Sequence, residues 1–152
     1  MNSLNDIHPS LLWALNNRGY DQLTEVQDKV LKKEFINPDL LVSAETGSGK
    51  TLAYGINIMT SLLQKKQIEL ESSNVLSLIV APTRELALQI KNELTWLYEK
   101  TNSKIATCVG GMDMRAERNS LKTKPNIVVG TPGRLRDHLE RSSLKINNIH
   151  SL

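Results

Sequence analysis

The chain has 152 residues, of which 39% are hydrophobic and 23% are charged. This composition is typical of globular proteins and excludes the disordered, collagen-like and membrane-spanning classes. A net charge of +3 is compatible with a polyanionic partner but lies far below that of histone-like proteins. The length favours one domain.

Alternating helices and strands are predicted along the chain. Two helices come first, over 10–17 and 24–36, separated by a turn at Gly19 and Tyr20. Beyond them, β-branched runs predict strands over 40–43, 75–81, 105–109 and 127–130. Two intervening helices are predicted from apolar residues at helical spacing. The first stripe consists of Leu52, Ile56, Met59 and Leu63, and the second of Leu86, Ile90, Leu94 and Leu97. The polar stretch 64–74 is expected to be a surface connection. This order predicts an α/β fold whose ligands bind at the carboxyl ends of parallel strands.

The single cysteine and the three histidines argue against a disulfide or a metal cluster. Cys108 lies in an apolar run, which indicates a buried, inert thiol in a reducing compartment. His8, His138 and His150 lack ligand spacing, so no zinc or iron site is expected. The amino terminus has no signal-peptide pattern, and no run of eighteen apolar residues occurs. A cytoplasmic location without membrane contact is the expectation.

A glycine-rich segment follows the first predicted strand and opens the next helix. Its sequence, Ala44-Glu45-Thr46-Gly47-Ser48-Gly49-Lys50-Thr51, predicts a phosphate-binding loop in which backbone amides and a helix amino terminus face an anion. Lys50 is expected to reach the β- and γ-phosphates, and the Thr51 hydroxyl to ligate Mg²⁺. The alternative is an ordinary glycine-rich turn, because Ala44 replaces the first glycine of the strict pattern.

The segment Thr24-Glu25-Val26-Gln27 fits a capping box, in which Thr24 caps a helix and Gln27 reaches back to its amide. Next to a phosphate loop it has a second interpretation. A Gln amide can pair with N6 and N7 of adenine, so Gln27 would select adenine over guanine.

Three further segments follow predicted strands. Residues 82–90 and 131–135 each begin a helix, with Thr83 and Thr131 as expected caps, and their free amides with Arg84 and Arg134 could bind phosphates of a nucleic-acid backbone. Ordinary capping with solvated arginines is the alternative. Gly110-Gly111 fits a strand-ending turn that also permits close approach of a phosphodiester chain.

In order and spacing, these blocks resemble the first RecA-like domain of DEAD-box RNA helicases over nearly the whole chain. The segment 10–36 resembles the family's Q motif, 44–51 its motif I, and 82–90, 110–111 and 131–135 its RNA-backbone motifs. The resemblance implies a RecA-like P-loop domain with a parallel sheet flanked by helices, the cofactors ATP and Mg²⁺, and single-stranded RNA bound without reading its bases. It implies nucleotide contacts from Tyr20, Gln22, Gln27, Thr46, Gly47, Ser48, Gly49, Lys50 and Thr51, with Lys50 and Thr51 also catalytic, and RNA contacts from Pro82, Thr83, Arg84, Gly110, Gly111, Thr131, Pro132, Gly133 and Arg134.

The sequence departs from the family pattern in three places. Asn2 stands near the usual upstream aromatic position, Leu23 stands where a proline is usual, and 148–152 resemble the lead into a strand whose Asp-Glu-Ala-Asp tetrad this sequence does not contain. The resemblance therefore implies a helicase fragment, incomplete at its carboxyl end, that hydrolyses no ATP alone. A non-catalytic RNA-binding fragment and another P-loop ATPase or kinase are the alternatives.

Overall fold

A computed structural model describes residues 7–36, 39–64 and 75–152 of the chain. Contacts group the chain into two units, residues 1–68 with 96–101 and residues 69–95 with 102–152. Asn2 and most of the polar stretch 64–74 lie outside the described residues. Among the described helices, none is long and apolar enough to cross a membrane.

The first unit is helical. Its helices are α1 (Pro9–Asn17), α2 (Glu25–Val30) and α3 (Lys50–Gln64), with a 3-10 turn over Lys33–Phe35. The single helix predicted over 24–36 therefore ends early, and Asn57 explains how the break is stabilised. Its amide donates to the carbonyls of Val30 and Phe35, at 2.7 and 2.8 Å, and so satisfies groups that a helix end leaves unpaired.

The apolar stripe of α3 faces the interior of the first unit. Leu52, Ile56 and Met59 are at most 4% exposed, as predicted, while Leu63 is half-buried. The Tyr98 hydroxyl donates to the Gly55 carbonyl at 2.6 Å, and burial raises the pKa of Tyr98. Tyr98 is therefore a buried polar residue whose hydroxyl has a hydrogen-bond partner.

The strand predicted over 40–43 is not formed. These residues have no assigned strand, and Leu41 is fully exposed. A strand exists only where its backbone groups meet a neighbouring ladder, and in the described residues no strand pairs with this segment. The segment 40–43 is apolar, as its sequence shows, but an apolar run alone does not provide a strand to pair with.

The second unit contains a parallel sheet with the order β1-β3-β2 in its described part: β1 (Ser77–Val80), β2 (Ile105–Cys108) and β3 (Ile127–Gly130). The other edge of β1 carries a parallel bridge between Ser77 and Ser151, as expected if 148–152 lead into a strand. Leu78, Ala106, Cys108, Val128 and Leu135 form its core with Leu121 and Leu144.

Helices α4 (Arg84–Leu97), α5 (Met114–Lys122) and α6 (Pro132–Glu140) follow the three strands. The predicted stripe of α4 is wrong at Leu86, which is 36% exposed, because the neighbouring Ala87 is fully buried and begins the face instead. Helix α5 was not predicted, since its only buried apolar residue is Leu121. Its start is capped by Asp113, which accepts from the Arg115 amide at 2.8 Å.

Candidate functional site

The glycine-rich loop of the first unit has the backbone shape of an anion-binding turn. Gly47 and Gly49 have φ values of +84° and +85°, a left-handed conformation that other residues rarely adopt. The 15-residue helix α3 begins at Lys50, directly after the second of these glycines. The loop thus leads into a helix amino terminus, whose amides and dipole favour negative charge.

Lys50 folds back over the beginning of this loop. Its ammonium donates to the carbonyls of Ala44 and Glu45, each at 2.6 Å. Thr46 is exposed, whereas Thr51 is partly buried in the first turn of α3. Both residues predicted to serve catalysis therefore lie at the junction of loop and helix.

The capping box at the start of α2 is confirmed, and it also contacts the loop. Gln27 is 1% exposed; its amide oxygen accepts from the Thr24 amide at 3.0 Å, and its amide nitrogen donates to the Gly49 carbonyl at 3.2 Å. The Thr24 hydroxyl donates to the Ser48 carbonyl at 2.9 Å. The Q-motif segment and the phosphate loop are therefore joined by side-chain hydrogen bonds.

Next to these contacts lies a cavity of about 550 Å³. Its lining includes Thr24, Val26, Phe35, Leu40 and Ser48. The Ser48 hydroxyl is shielded from solvent and has no hydrogen-bond partner among the residues that the structure describes. Of the residues predicted to contact nucleotide, Ser48 alone belongs to the lining that the described residues form.

Tyr20 stacks against an aromatic residue that sequence reasoning missed. Its ring lies 5.8 Å from that of Trp96, at an interplanar angle of 12°, and the Arg18 guanidinium lies 5.1 Å from the Trp96 ring. Tyr20 remains 38% exposed, and Gln22 is also exposed. Nothing in the sequence around Trp96, on a helix over seventy residues later, signals this partner.

In the second unit, the three RNA-motif segments share one edge of the sheet. Gly130 lies in register with both Val80 and Cys108, so β1, β2 and β3 end at the same level. The segments 82–84, 110–111 and 131–134 follow these ends, and all but Thr131 and Arg134 are exposed. The predicted clustering at the carboxyl edge is confirmed for this unit.

Only one of the two expected threonine caps makes its hydrogen bond. The Thr83 hydroxyl accepts from the Leu86 amide at 3.2 Å. Thr131 stands at the start of α6, but in the described structure its side chain makes no capping bond. Pro132 occupies the first turn of α6, where its fixed φ suits a helix start.

The two predicted phosphate-binding arginines differ. Arg84 is exposed and donates to the Gly110 carbonyl at 3.4 Å. The Arg134 side chain is only 13% exposed and donates to the Met112 carbonyl at 3.2 Å and to Glu117 at 3.4 Å. Arg134 is therefore turned toward protein acceptors.

A buried polar cluster lies behind this edge. Glu117 is 4% exposed, accepts from the Val109 amide at 2.7 Å and pairs with His138 at 2.7 Å. Cys108 is buried as predicted, and burial together with the neighbouring Glu117 raises the pKa of its thiol to about 12. Ligand atoms of Cys108, Glu117 and His138 lie within 4.8 Å of one another, a grouping that their spacing in sequence did not reveal.

Comparison with known proteins gives one family. The model of the DEAD/DEAH box helicase family matches residues 24–152. The chain is 35% identical to the DEAD-box ATP-dependent RNA helicase CshA of Bacillus subtilis, over 97% of the chain and 28% of that protein. It is 38% identical to the ATP-dependent RNA helicase CshA of Limosilactobacillus reuteri, over 94% and 28% respectively. The chain thus spans little more than a quarter of these relatives.

Solved structures of helicases also resemble the chain. The DEAD-box helicase Mss116 bound to ssRNA and UDP-BeF superposes with a TM-score of 0.86 at 33% identity, over 98% of the chain and 32% of that structure. A hypothetical ATP-dependent RNA helicase from Sulfolobus tokodaii gives 0.78 at 32% identity, over 93% and 39%.

Proposed function

The chain belongs to the DEAD/DEAH box helicase family, and from that membership we propose that it forms part of an ATP-dependent RNA helicase. In this proposal, residues 44–51 hold the phosphates of ATP together with Mg²⁺. The carboxyl edge of the sheet holds the sugar–phosphate backbone of one RNA strand, whatever its base sequence. Coupling of ATP hydrolysis to RNA unwinding belongs to a longer protein, of which the chain would be about a quarter.

The loop geometry is the observation that carries the proposal. Two left-handed glycines stand immediately before a long helix, and Lys50 projects its ammonium over the same turn. A triphosphate is bound by loop amides, a positive helix end and a cation, and the glycine loop, the start of α3 and Lys50 can supply these groups. The residues present therefore fit ATP.

Thr51 fits the proposed metal role, because Mg²⁺ prefers oxygen ligands and its hydroxyl stands one residue after Lys50. When bound, Mg²⁺ supplies charge neutralisation at the phosphates during phosphoryl transfer. Lys50 would exchange one loop carbonyl for a phosphate oxygen and so orient the γ-phosphate. Thr46, Gly47, Ser48 and Gly49 would contribute their backbone amides.

Base recognition is assigned to Gln27, with Tyr20 and Gln22 contributing further contacts. The Gln27 amide donates one N–H to Gly49 and accepts from Thr24, which leaves one donor and one lone pair. Because 1% of the residue is exposed, a base reaches these groups only after they are uncovered. The donor and the lone pair complement N7 and N6 of adenine, whereas guanine offers acceptors at both corresponding positions. The contact to Gly49 would link base identity to the loop.

RNA binding is assigned to exposed groups on the carboxyl edge of the sheet in the second unit. Helices α4 and α6 both begin there, and free amides at helix starts bind phosphates. The Gly110–Gly111 turn is exposed and lacks side chains, which leaves its backbone open to a strand. The relative Mss116 was solved with ssRNA, which supports the same class of ligand here.

ATP turnover by the full-length protein that contains this chain tests the proposal. We expect RNA to stimulate turnover, and Lys50→Ala to reduce it by about 10²- to 10³-fold, the effect of removing one preorganised donor to developing charge. Lys145→Ala removes the same charge from an exposed position and should leave turnover unchanged. Turnover that ignores RNA, or a Lys50→Ala variant as active as the wild type, would contradict the proposal.

A further inference from the structure

The turn between β2 and α5 is held by three side chains. The Glu117 carboxylate accepts from the Val109 amide at 2.7 Å. Arg84 donates to the Gly110 carbonyl and Arg134 to the Met112 carbonyl, at 3.4 and 3.2 Å. Three residues of this loop, Val109, Gly110 and Met112, are thus held by side chains from three helices, α4, α5 and α6.

Glu117 is the centre of this arrangement. Besides the Val109 amide, it accepts from His138 at 2.7 Å and from Arg134 at 3.4 Å, while 4% of the residue is exposed. A carboxylate has lone pairs for three donors, so these contacts fit the form of His138 that donates from its Nε2 atom. The other ring nitrogen of His138 contacts the Ser143 hydroxyl at 2.8 Å, which fixes the ring orientation.

A metal-binding role fits this cluster poorly. Both Glu117 carboxylate oxygens and the His138 Nε2 atom are already engaged in hydrogen bonds within the protein. A dication would also lie beside the Arg134 guanidinium, which already balances the Glu117 charge. The donor set therefore suits a hydrogen-bond network.

Arg134 is committed to this network on both terminal nitrogens. One contacts Glu117 and the Met114 sulfur, and the other contacts the Met112 carbonyl. A guanidinium with three protein acceptors and a side-chain exposure of 13% has few N–H groups left for a phosphate from solvent. By contrast, Arg84 is exposed and makes one long bond.

We infer that Glu117 and Arg134 are positioning residues: they hold the Gly110–Gly111 turn in the shape that receives RNA, and Arg134 itself contacts no phosphate. This inference rests on the proposed RNA-binding function and corrects the expectation that Arg134 and Arg84 play equivalent roles.

Salt-dependent RNA binding by the 152-residue chain separates the two arginines. With a fluorescein-labelled oligouridylate followed by anisotropy, Arg84→Ala should flatten the log–log salt slope by about 0.7, the value for one single-strand phosphate contact. Arg134→Ala should lose about tenfold in affinity while its slope matches that of Arg136→Ala. Arg136 lies two residues later on α6 and is exposed, so this control removes the same charge.

Conservative variants sharpen the test. Arg134→Lys keeps the charge but loses the two-acceptor fork, so we expect it to bind as weakly as Arg134→Ala. Glu117→Gln offers Val109 a weaker, uncharged acceptor and loses the charge that holds Arg134, so it should weaken RNA binding with an unchanged slope. Rescue by Arg134→Lys, or a slope lowered by about 0.7 in Arg134→Ala relative to Arg136→Ala, would overturn the inference.

A second readout needs no RNA. Amide hydrogen exchange of Val109, followed by NMR, should accelerate about tenfold or more in Arg134→Ala and Glu117→Gln and stay unchanged in Arg136→Ala. Unchanged exchange in the first two variants would overturn the positioning role. Failure of the wild-type chain to bind RNA would instead count against the proposed function, while this readout still decides whether the network holds the turn.

Discussion

Replacing Gly49 by alanine should destabilise the chain more than the same change at Gly47, although the two glycines have almost the same backbone conformation. A left-handed alanine costs roughly 1–2 kcal/mol at either position. Among the described residues, a Cβ on Gly47 meets no heavy atom within 4 Å, whereas one on Gly49 overlaps the Gln27 amide nitrogen. Gln27 must then move, and it gives up its bonds to Gly49 and Thr24.

These two bonds set the expected difference. Each buried hydrogen bond contributes about 0.5–1.5 kcal/mol, and the groups left unpaired add to the loss. The free energy of unfolding of Gly49→Ala should therefore be about 2–3 kcal/mol lower than that of Gly47→Ala. Urea unfolding followed by far-UV circular dichroism measures both, provided that the m-values agree.

A Gln27→Ala background isolates the cause. Without the Gln27 amide, the extra cost of Gly49→Ala should shrink to below about 0.5 kcal/mol, the scatter expected of independent sites. Equal destabilisation by the two alanines in the wild-type background, or a difference that persists without Gln27, would refute the reasoning.

Three further predictions concern single groups. Cys108 should react with iodoacetamide at pH 8 about a thousandfold more slowly in the native chain than in urea, because its raised pKa leaves so little thiolate; comparable rates would show that the thiol is accessible. Tyr98→Phe should cost about 1–2 kcal/mol in urea unfolding through the lost bond to Gly55, while Tyr20→Phe costs less than about 0.5 kcal/mol. Thr83→Ala should cost about 1 kcal/mol, and Thr131→Ala, whose side chain makes no capping bond in the described structure, clearly less; equal losses would contradict the assigned caps.

Local pattern predicted much of the fold. The strands β1, β2 and β3 and the helices α1, α3 and α4 were anticipated within a few residues, and the α/β class with a parallel sheet is confirmed by the solved relatives. The strand at 40–43 failed for a non-local reason, since an apolar run cannot specify its own pairing partner. Helix α5 was not predicted because its buried positions hold Glu117 as well as Leu121, and a charged residue on the buried face weakens the apolar periodicity.

The site was predicted unevenly for a similar reason. Loop 44–51 carries its signal in consecutive residues, so it was found with its helix context intact. The Glu117 network draws on three elements and on residues that individually look solvated. Only the folded chain shows that Arg134 faces Glu117, whereas Arg84, within an equally recognisable motif, is exposed.

Calorimetric titration of the chain with ATP and with GTP, each with Mg²⁺, tests the central claim most directly. We expect saturable binding of ATP and at least about tenfold weaker binding of GTP, since a hydrogen-bonding mismatch at Gln27 costs on the order of 1–3 kcal/mol. Lys50→Ala should weaken the binding of both nucleotides, whereas Lys145→Ala should not. Equal affinity for ATP and GTP would remove the role assigned to Gln27. A wild-type chain that binds neither nucleotide, or a Lys50→Ala variant that binds both as well as the wild type, would contradict the account of residues 44–51 as a nucleotide-binding loop.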